Sequence, residues 1–290
     1  MKNFRLVLLA FLMFGITACG NDTSGNDVKL IDKTTQEVEV PKDISEQFEY
    51  FFEKLPADSE DEATEAFFKL EEQAMKSQLE LVETVVLNDE IQMSLADCFI
   101  GDKGIFDVSV YQGERINEIL EICGHGFTFV PFNGVIYPVV NYHSYEGATA
   151  YVSREAASYI NLKILELDDY ITGHDLTQED LISRLMSIET HLIQYTSGET
   201  APSIYELYKT YFYEFIPIKF RTAGTMDAQD ALFNNYIYFV DAYQDSVTAE
   251  LISKYIKAIE DNDYVIDDKV LEVLNSFSDE IQTYFTSKLE

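Results

Sequence analysis

Few side chains in this chain have the type and spacing to do chemistry, and those few are scattered. The histidines are His125, His143, His174 and His191, and the cysteines are Cys19, Cys98 and Cys123. No two histidines share a helical metal motif with a neighbouring Glu, and no pair has zinc-site spacing. A site in the loops beside Asn133-Gly134 could draw on His143 with Glu146, or on Cys123 with His125. Cys123-Gly124-His125 lacks the second Cys that a redox motif carries three positions on, where Gly126 stands. There is no Gly-x-Ser-x-Gly elbow, no Ser-x-x-Lys pair and no Gly-rich phosphate loop with Lys. Asp261-Asn262-Asp263 and Asp267-Asp268 lack the framework of a calcium loop and read as helix ends. The sequence therefore assigns no catalytic residue, no cofactor and no metal, with His143 and Glu146 the leading candidate ligands. One stretch has the chemistry of a ligand groove. In Tyr205-Glu206-Leu207-Tyr208-Lys209-Thr210-Tyr211-Phe212-Tyr213-Glu214-Phe215, the rings of Tyr205, Tyr208, Tyr211 and Tyr213 could stack on a sugar or peptide while their hydroxyls stay wet. Aromatics at helical spacing also build a core, and both readings stand. The absence of Trp pulls against glycan binding.

Cys19 carries a different chemistry. Lys2 and Arg5 precede an apolar block from Leu6 to Ile16, and Thr17-Ala18 place small residues directly before the cysteine. That order is a charged region, an apolar region of the usual ~7–15 residues and a small-residue cleavage site. A spanning helix would need about 20 apolar residues. Ile16-Thr17-Ala18-Cys19 resembles the lipobox of bacterial prolipoproteins. The resemblance implies removal of residues 1–18 and acylation of Cys19, whose diacylglycerol and N-acyl chains would together hold a stable anchor. An ordinary secretory signal with an incidental Cys is the alternative. Residues 19–42 are polar and read as a tether that keeps a folded body clear of the bilayer.

The remaining cysteines, Cys98 and Cys123, are an even pair that fits an exported protein: they close one disulfide, or both remain buried thiols. Charge narrows the partners. Against 52 acidic residues stand 20 basic ones, a net charge of -32, which opposes binding to DNA, RNA or an anionic lipid surface. Nucleic acid is excluded as a partner on this ground. The acidity could attract cations or basic partners, or could simply keep a dispersed surface solvated. With 47% apolar and 13% aromatic residues the chain is too hydrophobic to stay disordered.

The elements read as mainly α, a multi-helix bundle or stacked helical pairs with a small β-hairpin element around residues 105–140. Asp43 with Glu46 and Ser59 with Glu62 match capping boxes, so two helices begin there. The first buries Phe48, Phe51, Phe52 and Leu55 before Pro56. The second carries Ala63, Phe67, Leu70, Ala74, Leu81 and Val85 on one stripe. From about 101 to 142 a β insertion is expected. Gly101-Asp102-Lys103-Gly104 is turn chemistry, Phe106, Val108 and Val110 alternate as in a strand, and a short helix spans about Arg115 to Ile122. The runs 127–132 and 135–140 flank Asn133-Gly134, the dipeptide suited to a tight hairpin turn, and Pro131 and Pro138, which cannot donate to a ladder, place that hairpin at a sheet edge or make it short and irregular. Residues 132–142, continuing into the next helix, are similar to a segment of uncharacterised exported lipoproteins of Gram-positive bacteria, a resemblance that implies no activity.

Beyond Ser153 the chain reads as successive helices. Ser153 and Thr177 are caps, Gly173 and Gly198 are breaks, Pro202 opens a helix and Pro217 ends or kinks it, and further helices span about 227–243, 247–259 and 268–289. The organisation is thus a lipoprotein signal peptide (1–18), a polar tether (19–42) and a mostly helical ectodomain (43–290). The function expected is that of a membrane-anchored extracytoplasmic lipoprotein with a noncatalytic binding or envelope-accessory role, toward an unknown protein or small ligand. An envelope hydrolase with a carboxylate and His site near the hairpin is the alternative. A solute receptor fits less well, since such receptors alternate strands and helices in two lobes.

Overall fold

A computed structural model of the protein describes residues 42–56, 58–100, 105–172, 176–216, 220–225, 227 and 230–287. The expected signal peptide, Cys19 and nearly all of the expected tether, the expected turn at 101–104, Gly173, His174 and Pro217 lie outside them. The described chain is mainly helical with a small antiparallel hairpin. The body expected over 43–290 falls into two compact units, Met1–His174 and Asp175–Glu290.

In the first unit, α1 (Lys42–Lys54), α2 (Glu60–Val86) and α3 (Asp89–Ala96) lead to a pair of two-residue strands, β1 (Phe99–Ile100) and β2 (Ile105–Phe106). Then come α4 (Ile116–Gly124), the hairpin β3 (Phe127–Phe132) and β4 (Val135–Val140), a 3-10 segment (Tyr142–Ala150) and α5 (Arg154–Thr172). The capping box at Ser59 forms as read: Glu62 N–H bonds the Ser59 hydroxyl, and the Glu62 carboxylate accepts Ser59 N–H at 2.9 Å. Helix α1 starts one residue ahead of the expected cap, at Lys42, and the Asp43 side chain lies outside the described residues. The alternation through Val110 does not make a strand. Asp107 Oδ1 accepts both Ser109 N–H at 2.9 Å and Ser109 Oγ–H at 2.6 Å, and this local bonding turns Val108–Val110 into a 3-10 turn.

The hairpin has the expected two-residue turn, with φ of 51° at Asn133 and 82° at Gly134. Phe132 pairs with Val135, so the outward N–H positions of β4 are 136, 138 and 140. Pro138 has no donor to leave open. Gln92 of α3 accepts Ile136 N–H at 2.9 Å, and Gln78 of α2 accepts Val140 N–H at 3.1 Å. Side-chain amides thus close an edge that would otherwise template aggregation. Behind it, Tyr145 is packed by Phe48, Phe52, Phe67 and Tyr142, with Phe67 edge-on at 5.6 Å.

In the second unit, α6 (Gln178–Gln194) and α7 (Ala201–Phe215) form a helical pair, and β5 (Gly224–Thr225), α8 (Ala231–Ala242), α9 (Val247–Asp261), β6 (Val265–Ile266) and α10 (Asp268–Ser287) follow. Thr177 caps α6 in a reciprocal box with Asp180. The acidic groups at 261–263 and 267–268 are helix ends, as their composition indicates. The core is aromatic: Phe215 meets Tyr236 and Phe239 edge-on at 4.9 and 5.2 Å, and Phe277 meets Phe212 and Tyr255. No helix of the described residues is long and apolar enough to cross a membrane.

A candidate ligand groove on the second unit

The inward stripe of α7 is Ile204, Leu207, Tyr208, Tyr211, Phe212 and Phe215, all buried. That geometry divides the four tyrosines singled out by sequence. Tyr208 and Tyr211 are core, and the Tyr208 hydroxyl lies 2.7 Å from Thr248 Oγ1. Burial, reinforced by the nearby Glu189 carboxylate, drives the Tyr208 hydroxyl well above its usual pKa. Tyr213 is half-buried, and burial and Asp279 raise its pKa. Tyr205, by contrast, lines an open groove.

That groove has a volume of about 460 Å³ and lies between the α6–α7 turn and α10. Leu192, Pro202 and Phe285 supply apolar wall, and Thr196, Ser197, Ser278 and Gln282 supply polar groups. Tyr205 is held in place because its hydroxyl donates to the Ser278 carbonyl at 2.9 Å, tying α7 to α10. Partial burial and the adjacent Glu206 raise its pKa, so it stays neutral and acts as a ring and a donor. Glu206 and Lys209 complete the wall, with Lys209 Nζ 2.6 Å from Glu206 Oε1 and 4.6 Å from the centre of the Tyr205 ring. A concave site of ~300–1,000 Å³ with apolar walls and a few placed polar groups has the anatomy of a small-ligand pocket. The sequence reading missed Glu206, Lys209, Gln282 and Phe285. Tyr205 and Lys209, four apart and off the buried stripe, were the available signal.

The other candidates are placed differently. His143 Nε2 lies 2.7 Å from Asp168 Oδ1, whereas the Glu146 side chain is exposed and its carbonyl accepts the Thr149 hydroxyl. Among the described residues no three His, Cys, Asp or Glu side chains are grouped to hold a metal. Cys98, buried, and Cys123, half-buried, stand as free thiols in the structure. Burial, with Asp97 and Asp107 adding to it, pushes the Cys98 thiol up to about 11; burial and then Cys98 push Cys123 up to about 12. Neither is an activated nucleophile. His125 Nδ1 is 2.8 Å from the Glu121 carbonyl.

Several buried polar groups are bound into the fold. Glu71 accepts the Tyr142 and Tyr159 hydroxyls, each at 2.6 Å. Glu189 accepts Val247 N–H at 2.6 Å, Thr248 N–H at 3.1 Å and the Thr248 hydroxyl at 2.9 Å, so a buried carboxylate caps the N-terminus of α9. His191 Nε2 lies 2.8 Å from Thr200 Oγ1. Compared with known protein families, curated proteins and solved structures, the chain finds no match.

Proposed function

We propose that this chain is a membrane-anchored extracytoplasmic lipoprotein whose helical body binds a ligand or protein partner without catalysing its conversion. The observation that carries the address is Ile16-Thr17-Ala18-Cys19 behind a basic and then apolar segment. The Tyr205 groove supports a binding role, being ligand-sized and lined by both apolar and polar groups. Further support comes from how the buried titratable groups are used. Glu71 and Glu189 hold tyrosine hydroxyls and a helix end, while the two thiols are held protonated.

The test is fractionation of the protein in a bacterial host. The natural chain goes with the membrane, and Cys19→Ser releases it to the medium or periplasm. Unchanged fractionation of the variant refutes the anchor. The alternative, an envelope hydrolase with a carboxylate and His site near the hairpin, draws on one specific observation, the His143–Asp168 pair beside the end of β4. A hydrolytic activity abolished by His143→Ala would favour it.

A further inference from the structure

The groove already contains an ammonium. Lys209 Nζ is shared between the Glu206 carboxylate at 2.6 Å and the Tyr205 ring at 4.6 Å. Lys–Glu and Lys–Tyr pairs at this helical spacing are ordinary on exposed surfaces. The Lys76–Glu72 pair of α2 is such a case, its side chains 67% and 68% exposed. The Lys209 side chain is only 23% exposed, because it forms the wall of a concavity that also includes Leu192, Pro202 and Phe285. A cation over a ring gains more when it is partly withdrawn from water. The groove thus presents the parts of a seat for an organic cation: a carboxylate, an aromatic face and an adjoining apolar wall.

We propose that this groove binds an alkylammonium ligand, a primary or methylated amine on a short apolar chain, and that Lys209 is its built-in competitor. The inference rests on the reading of the chain as a binding protein and names the ligand class. The incoming ammonium takes the place of Lys209 Nζ against Glu206 and Tyr205, and its carbon chain lies against Ala201 and Pro202 at the mouth of the groove, with the buried Leu192 and Phe285 beneath it. No bond is made or broken. The net charge of -32 favours the same class, since the field of the whole protein concentrates cations and repels anions. A free amine and a lysine side chain of a peptide share this chemistry.

Saturation-transfer NMR on the purified full-length chain tests it, with n-butylammonium, its neutral counterpart 1-butanol, and Nα-acetyl-lysine methylamide as probes. The expected result is that an ammonium probe binds at least ~10-fold more tightly than 1-butanol, equivalent to about 1.4 kcal/mol. Lys209→Met, which keeps the apolar stem and removes the competitor, tightens ammonium binding further. Glu206→Gln, at a side chain 45% exposed, erases the preference over the alcohol. Tighter binding of the lysine derivative than of n-butylammonium identifies a peptide source, and the reverse order a free amine. Equal binding of butanol and butylammonium overturns the ammonium assignment alone and leaves a binding role standing. Absence of binding by every probe, or an affinity that Lys209→Met leaves unchanged, overturns the assignment too. The anchored-protein reading fails separately, through Cys19.

Discussion

Gln92 holds Ile136 as a neighbouring strand would: its Oε1 accepts Ile136 N–H at 2.9 Å and its Nε2 donates to the Ile136 carbonyl at 2.8 Å. The same Nε2 also reaches the Val85 carbonyl at the end of α2, at 3.2 Å. One amide therefore fixes the hairpin edge to two helices. Gln92→Leu leaves both Ile136 groups without that partner, and each partly buried group left so costs about 1–3 kcal/mol. A loss of about 2–3 kcal/mol in a urea titration is expected. A change within ~0.5 kcal/mol, as at an ordinary surface site, would contradict the role given to this side chain.

Glu189 supplies the second case of a side chain standing in for backbone. Glu189→Ala removes the acceptor for Val247 N–H, Thr248 N–H and the Thr248 hydroxyl at once, at a residue only 4% exposed. The expected cost is about 3 kcal/mol or more, from several buried donors losing their shared acceptor. Glu189→Gln keeps one acceptor oxygen and should lose less. If the two variants unfold at the same denaturant concentration, the carboxylate is not the cap described here.

Gly126 combines two constraints. Its φ is +86°, and a Cβ added there would lie 2.6 Å from Cε2 of Phe48 on α1. Gly126→Ala must therefore strain the backbone, at ~1–2 kcal/mol for the left-handed region alone, and also displace a ring. Gly134→Ala, where φ is +82° but nothing lies within 4 Å, is the control that carries the backbone cost only. Thermal unfolding should rank Gly126→Ala clearly below Gly134→Ala, and the opposite order would refute the close packing of Phe48.

The thiols give a pH dependence with a definite sign. Burial holds Cys98 and Cys123 protonated, at about 11 and about 12 against an ordinary value of 9.0. A folded pKa above the unfolded one contributes stability that is complete below about pH 9. That contribution is lost as the pH rises through about 11 to 12. In Cys19→Ser protein, a thiol reagent at pH 8 should therefore react slowly with the native chain and modify both cysteines once it is denatured. A denatured, unreduced chain without free thiols would show a disulfide instead.

The legible parts of this fold are those whose signals are local. The stripe of α2 repeats at helical spacing and is buried as read, as at Phe67, Leu70 and Val85. Asn133-Gly134 states its own turn chemistry, and so do the capping box at Ser59 and the cap at Thr177. The strand expected through Val110 failed because Asp107 bonds its own neighbour, a competition that alternation of apolar residues does not register. Helix α3 and the 3-10 segment Tyr142–Ala150 were not foreseen, being short and without a long stripe. The groove was half legible. Tyr205 stood in the aromatic run that suggested it, but its fellow wall residues Gln282 and Phe285 lie on α10, far along the chain, and only tertiary packing brings them together.

The most direct test of the whole account is the mass of the N-terminal peptide of the protein purified from a bacterial membrane fraction. The account predicts a chain that begins at Cys19, with residues 1–18 gone and a diacylglycerol thioether and N-acyl group on that cysteine. A peptide still carrying residues 1–18, or an unmodified Cys19, would contradict it.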